Sequence, residues 1–547
     1  MSKEKEQKKS IKEKNVASIF SGITPTDYLN YLYLALIFTL YLLVVDNGYF
    51  NITVTRYTVF MYLSCGFIVL SMVLLAIEIM HRSEEELLLS QGSEAAWYKR
   101  PGMWMAAFMM ANLFAFFLSA EKENAIHGGN GRYMGLLIYL VFGLLFFILG
   151  RGLNIIKEIF YVFAAGAFVA LCVAISQHQQ SSSFPFSGFA KYLKEGISEK
   201  QYTQFVSTFG NINIFAGFLC IAVPVFIGMF VFFKAWHAKL VSGIMLVLSG
   251  YAVFVANSDS VYFGIALASV CILLLAVWNQ TVFELSVAYV LLALGNLWVE
   301  LMNTYGKNVR YDKKRGGFSL AIDRLDYAIS FLMITFCIAV VVFMARRFIK
   351  KLPTQPDPKK TIIVLISVMG AGVLGLLVYA VFIKKAVTLP LDYKWGTYRG
   401  YIWTKAWEIF RDAPFVNKLF GYGHESVRAL VEGRFYEEMV EVTGRTYDNT
   451  HNELLQYLLT TGLCGLVTYL GLLISSIRYM LKNAKKDVRV YLCVFAVLGY
   501  FAQSIISLNQ PITTPLFFIF LAMGVGFVND KNKKAQNRNG GNKNDTV

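Results

Sequence analysis

Charge is what this sequence has least of. Of its 547 residues only 16% are charged against 56% hydrophobic, and the mean hydropathy is +0.51. A soluble domain of ordinary composition carries about a quarter charged residues, so a soluble globular chain is excluded. Metal-ligand spacing is missing too. The seven cysteines (Cys65, Cys172, Cys220, Cys271, Cys337, Cys464 and Cys493) all fall in apolar segments, and none forms a CxxC pair. They read as small packing side chains, with no disulfide framework and no metal site. The Lys-rich first 28 residues hold no short apolar core followed by a small-residue cleavage site, so no cleavable signal peptide is expected.

The last absence concerns charge inside the apolar runs. Asp46, Glu78, Asp259, Glu284 and Glu300 lie near the ends of such runs, and none sits at a centre. A central charge costs at least about 2.5 kcal/mol and is kept by coupled pumps for function, so a coupled pump is disfavoured. What is present is a recurring apolar run of the length that crosses a bilayer as helix. The chain reads as an all-α polytopic membrane helical bundle of about 14 transmembrane helices (range 12–14). The spans fall near 29–46, 57–79, 102–120, 133–150, 157–177, 209–233, 240–257, 260–278, 280–302, 326–345, 361–383, 453–476, 490–508 and 512–528. The high aromatic content, 15%, fits interfacial Tyr and Trp anchors.

Lys and Arg are in modest excess on the side that carries the N-terminus, and short connections such as RRFIKK and KNAKKDVR fall there. The positive-inside rule therefore places both termini in the cytoplasm. The net charge of +16 is accounted for by that rule and by anionic headgroups, so no nucleic-acid partner is implied and membrane lipids are. The expected organisation is a Lys-rich cytoplasmic tail (1–28), eleven spans (29–383), a long extracytoplasmic loop (384–452), the C-terminal spans (453–528) and a disordered cytoplasmic tail (529–547).

The long loop has helical periodicity. In TYRGYIWTKAWEIFRDAPF, Trp403, Ala406, Trp407 and Phe410 form one apolar stripe, with Arg399 one turn ahead on the same stripe and Lys405, Glu408 and Arg411 on other faces. The spacing predicts a helix lying in the interface and ending by Pro414. Arg399 either snorkels to a headgroup or aims a planar fork at a diphosphate. In NKLFGYGHES, Gly421 and Gly423 permit a turn or a close approach to a ligand, and His424 reads as a surface histidine. In TYDNTHNELL, Thr450 and Glu453 fit a capping box, with Thr450 as N-cap. That places His451 in the first turn of a membrane helix, where the dipole favours an anion and a neutral imidazole. Capping leaves His451, Asn452 and Tyr447 unexplained.

The ordered set Arg399, Trp403, Trp407, Asp412, Pro414, Gly421 and Gly423, followed by HNELLQYLLTTGLCGL, resembles the O-antigen ligase and polymerase family. STFGNINIFAGF upstream is similar to that family's GN-x-N-x-F-A motif, here Gly210, Asn211, Asn213, Phe215 and Ala216. The resemblance spans roughly 205–525. It implies a GT-C-like bacterial membrane glycosyltransferase in the cytoplasmic membrane, its site facing outward, with no cofactor and no metal. Its donor would be a polyprenyl-diphosphate-linked glycan and its acceptor a glycan, lipid or protein; other glycan-assembly membrane proteins are further partners. Within it, His451 and Arg399 become the catalytic candidates, as base and diphosphate cation. Asn211, Asn213, Arg411, Gly421, Gly423, His424, Tyr447, Asn452 and Glu453 become the substrate-binding candidates.

One residue departs from the family pattern. Asp259, in ANSDSVYFG, stands where the family commonly has arginine, and a carboxylate repels a diphosphate. Either another cation compensates, for which KNVRYDKKR (307–315) offers several, or this branch handles its donor differently. The leading expectation is a polymerase of lipid-linked repeat units. A ligase moving a finished glycan shares donor, fold and motif; a lipid-linked oligosaccharide flippase or exporter, or an assembly scaffold, belongs to another class.

Overall fold

The computed structural model describes residues 24–81, 100–129, 131–198, 204, 206–306, 325–349, 393–484 and 486–544. Every regular element among them is helical. In chain order these are α1 (Pro25–Leu36), running into a π-helical turn at Ile37–Tyr41, α2 (Ile52–Met80), α3 (Pro101–Leu118), α4 (Lys122–His127), α5 (Leu136–Gly150) and α6 (Ile159–Gln179). There follow α7 (Ser187–Leu193), α8 (Ile212–Phe232), α9 (Trp236–Val255), α10 (Ser260–Trp278), α11 (Val282–Tyr305) and α12 (Leu325–Ile349). The C-terminal part holds α13 (Trp395–Arg411), α14 (Phe415–Phe420), α15 (Val427–Thr443), α16 (Glu453–Thr460), α17 (Gly462–Asn483), α18 (Val488–Ser504) and α19 (Thr514–Asn544).

Nine helices among the described residues are long and apolar enough to cross a membrane, and α5, α18 and the apolar part of α19 are shorter apolar helices. The chain is a polytopic helical membrane protein. The expected span at 361–383 and the basic stretch 307–315 lie outside the described residues.

α8 is the axis of the bundle. Nearly every residue from Ile214 to Met229 is buried, as a helix that is apolar all round requires. It packs on α9, α10 and α18, while α19 lies on α5 and α17 on α3. α9 and α11 approach so closely that a Cβ on Gly250 would overlap the Leu292 carbonyl, and one on Gly295 the Val247 carbonyl. Small residues let membrane helices gain contact in this way when lipid removes the hydrophobic drive between them.

One buried cation falls inside a span. α2 begins five residues ahead of the expected boundary, so Arg56 sits within it, fully buried. Its guanidinium donates to the Leu42 and Thr208 carbonyls, both at 2.8 Å, and lies over the Tyr41 and Phe209 rings. Carbonyl dipoles and ring faces stand in for the carboxylate that a buried cation usually needs. This ties the end of the first helix to the segment that leads into α8.

The predicted span at 453–476 is divided. Gly462 has φ 67 and separates the eight-residue α16 from α17. A Cβ on Gly462 would overlap the Leu419 backbone, so the break occurs where α14 crosses the chain. His451 therefore stands at the head of a short stub, not of the long apolar helix itself.

Candidate functional site

A second, smaller core supports the site. Tyr401, Ile402, Ala406 and Ile409 of α13 pack with Val427, Val431 and Met439 of α15, and with Tyr447 and Leu459. The buried face of α13 differs from the predicted stripe. Lys405 is buried, and Trp407 is 53% exposed. Lys405 is accommodated because its ammonium pairs with Glu438 at 2.9 Å and lies over the Tyr401 and Phe435 rings. α13 ends at Arg411, ahead of Pro414, as the sequence predicts. Asp412, which the motif singles out, pairs with Arg411 and Arg434 and so staples α13 to α15.

Regular helix in α13 starts at Arg399, because Gly396, Thr397 and Tyr398 all have positive φ. That turn is held from the other end of the loop: Tyr447 donates its hydroxyl to the Thr397 carbonyl at 3.1 Å, and Arg445 donates to the Tyr447 hydroxyl at 2.8 Å. One turn along α13, the Trp403 indole N–H donates to the Thr450 carbonyl at 2.9 Å. Arg399 and the segment carrying His451 are thus set by two cross-links between the same two pieces of chain.

The cap differs from the one expected. Asn452, not Thr450, is the N-cap of α16; its side-chain oxygen accepts from the Leu454 and Leu455 amides at 3.0 and 3.1 Å. Thr450 donates its hydroxyl to the Asn452 carbonyl at 2.8 Å instead. The shift follows from the backbone of His451, which is left-handed (φ 51) and cannot begin a helix. Such a conformation costs a non-glycine residue about 1 to 3 kcal/mol and has to be held by its surroundings. Here the Asn449 side chain accepts from the His451 amide at 2.8 Å. The Tyr447 ring meets the imidazole edge-on, with centroids 6.1 Å apart.

The electrostatics of His451 are set by burial and by arginine. Burial pushes the imidazole down to about 3, with Arg399, Arg132 and Arg445 adding to the fall and Asp448 opposing it. Both effects favour a neutral imidazole, so desolvation and guanidinium groups act where the helix dipole was expected to. His451 Nδ1 is buried with no hydrogen-bond partner among the described residues. Burial also lowers Arg399, against the attraction of Asp259 and Tyr447, and Arg399 forms no ion pair among the described residues. Arg399 feels the charge of Asp259 at the head of α10, so the carboxylate is a neighbour of the site.

The remaining sequence candidates fall in several places. Asn211 caps α8, accepting from the Asn213 amide at 2.8 Å. Asn213 accepts from the Ser258 hydroxyl at 2.9 Å, next to Asp259. Arg411 is exposed and engaged with Asp412. Gly421 and Gly423 are pressed onto protein: the Tyr422 and Gly423 amides donate to the Leu459 and Thr460 carbonyls, both at 2.9 Å. His424 is buried, not a surface residue, and stacks on Tyr139 with centroids 5.1 Å apart. Burial lowers it to about 4. Glu453 is fully buried and accepts from the Tyr457 and Tyr469 hydroxyls.

Sequence reading missed three linked residues, two of them acting on His451. Arg132, from the turn between α4 and α5, grips Asp448 with two hydrogen bonds of 3.1 and 2.6 Å. Burial would raise Asp448, but Arg132 outweighs it and holds the carboxyl below its usual range. Glu425 is buried close by, pushed up to about 8 by desolvation, with Arg132 opposing and Asp448 adding. The glycine run HGGNGRYMG around Arg132 was the available signal.

No curated protein matches the chain. Residues 327–470 match the model of a family described as O-antigen ligase. The match is narrower than the 205–525 expected and leaves out Asn211 and Asn213, but it covers Arg399, Trp403, Tyr447 and His451. Residues 327–470 are therefore similar to the O-antigen ligase family, and Arg399 and His451 both fall within that match.

Proposed function

We propose that this protein is a membrane glycosyltransferase that moves a glycan from a polyprenyl-diphosphate carrier to an acceptor hydroxyl on the outer side of the cytoplasmic membrane. The observation that carries the reading is the joining of Arg399 and His451 by the Trp403–Thr450 and Tyr447–Thr397 hydrogen bonds. The acceptor oxygen attacks the anomeric carbon and gives its proton to an imidazole nitrogen of His451. The bond from that carbon to the diphosphate oxygen breaks, and its electron pair leaves with the diphosphate. Arg399 neutralises the charge growing there. A free-state imidazole near 3 is a weak base, but a bound diphosphate offsets the arginines that depress it and so raises its basicity. Tyr447, edge-on to the imidazole, and Asn213, bonded to Ser258 beside Asp259, suit hydroxyl-bearing sugars.

Polymerisation of repeat units is the leading form of this reaction, and ligation of a finished glycan is the second. Replacing His451 or Arg399 by Ala is expected to lower transfer by at least about 10²-fold, the lower end of what a positioned acid or base supplies, with membrane level unchanged. Normal polymer length and yield in both variants would refute the reading. In a deletion strain, accumulated single lipid-linked repeats indicate a lost polymerase, and accumulated long lipid-linked chains a lost ligase.

A further inference from the structure

The turn that carries Arg132 is built to hold it still. Gly128 and Gly131 have φ 91 and 74, and Tyr133 has φ 54. A Cβ on Gly128 would overlap the Met134 amide, so the two ends of the turn touch. The Arg132 amide donates to the Gly129 carbonyl at 3.0 Å, and the Tyr133 ring stacks on Tyr57 with centroids 5.0 Å apart. The Arg132 side chain is 16% exposed, and its guanidinium is bonded to Asp448, three residues ahead of His451.

We propose that Arg132 is a second anion-binding group of this site, a guanidinium that meets the donor's diphosphate from an element other than α13 and rests on Asp448 until it does. The inference rests on the glycosyltransferase reading above. A guanidinium has five N–H donors, and the bonds to Asp448 use two of them. Among the described residues the remaining donors have no hydrogen-bond partner. A plain latch between two pieces of chain has no need of a cation beside a half-buried histidine. Arg132 instead depresses the imidazole alongside Arg399 and Arg445, which works against a base until a ligand of opposite charge arrives. Asp448 and Asp259 supply two negative charges beside these three cations, and a diphosphate supplies further negative charge. Glu425 does not add to the anions while burial keeps its proton on.

The test measures binding of inorganic pyrophosphate to the full-length protein in lipid nanodiscs, for the wild type and for Arg132→Gln, Asp448→Asn and Arg399→Gln. Arg132→Gln is expected to weaken binding roughly tenfold or more, the loss of a charge-assisted contact. Asp448→Asn, which releases Arg132 from its partner, binds at least as tightly as the wild type. Equal weakening in Arg132→Gln and Asp448→Asn would reduce the pair to a latch and overturn the proposal. Weakening in Arg399→Gln alone would overturn it while leaving the glycosyltransferase reading intact. Wild-type binding in both arginine variants would sink the reading itself. If Arg132→Gln does not fold, Arg132→Lys keeps the charge and loses the fork; a severalfold loss supports the proposal, and wild-type binding overturns it.

Discussion

The Trp403 indole donates to the Thr450 carbonyl, 2.9 Å away, and so fixes the residue before His451 to the helix that carries Arg399. The motif spacing that sets Arg399 and Trp403 one turn apart acquires a physical reason. In the proposed reaction one position serves the anion, and the next ties down the segment that carries the base.

Trp403→Phe keeps a ring at that position and removes only the donor. A neutral hydrogen bond of this kind is worth about 0.5 to 1.5 kcal/mol. The expected outcome is a turnover about tenfold slower, with the thermal midpoint shifted little. Turnover equal to wild type in a glycan-transfer assay would show that the bond does not position His451.

Glu425 predicts a pH-dependent stability. Burial raises its carboxyl to about 8, so below the ordinary carboxylate value the folded and unfolded chains both hold the proton. As pH rises past that value the unfolded chain releases it and the folded chain does not, and stability falls until pH passes about 8. Glu425→Gln removes this dependence. Its thermal midpoint should match wild type near pH 5 and exceed it at pH 8.5, and a gap independent of pH would contradict the assignment.

The two loop glycines should differ in severity. A Cβ on Gly421 would overlap the Thr460 backbone, whereas one on Gly423 (φ 96) would overlap the Ser119 side chain. Gly421→Ala is expected to abolish accumulation in the membrane. Gly423→Ala should reduce it, with partial recovery on adding Ser119→Gly. Immunoblots of membrane fractions decide the matter, and equal, unrescued loss in both would remove the distinction.

Much of the bundle was legible because apolar run length leaves few choices, and Ile52–Met80, Ser260–Trp278 and Val282–Tyr305 fall close to their predicted spans. The break at Gly462 was hidden because a glycine inside an apolar run gives no sign of what crosses it. Thr450 and Glu453 matched a capping pattern, but the left-handed His451 moved the cap to Asn452, a tertiary constraint that local spacing does not encode. On α13, periodicity favoured Trp407 over Lys405 for the buried face, and the partners that reverse this, Glu438 and Phe435, lie some thirty residues on. Arg132 and Asp448 are separated by 316 positions, so nothing local could join them.

The split between α16 and α17 has a mechanical consequence. Trp403 grips the chain just ahead of the stub, and the Tyr422 and Gly423 amides grip its final carbonyls, so it is clamped at both ends by the 393–452 segment. The Glu453 carboxylate at the head of the stub also accepts from the Tyr469 hydroxyl of α17, so the stub is tied to the apolar helix beyond Gly462 as well. His451 and Arg399 keep their spacing because they ride on a common carriage, moored to the span beside it.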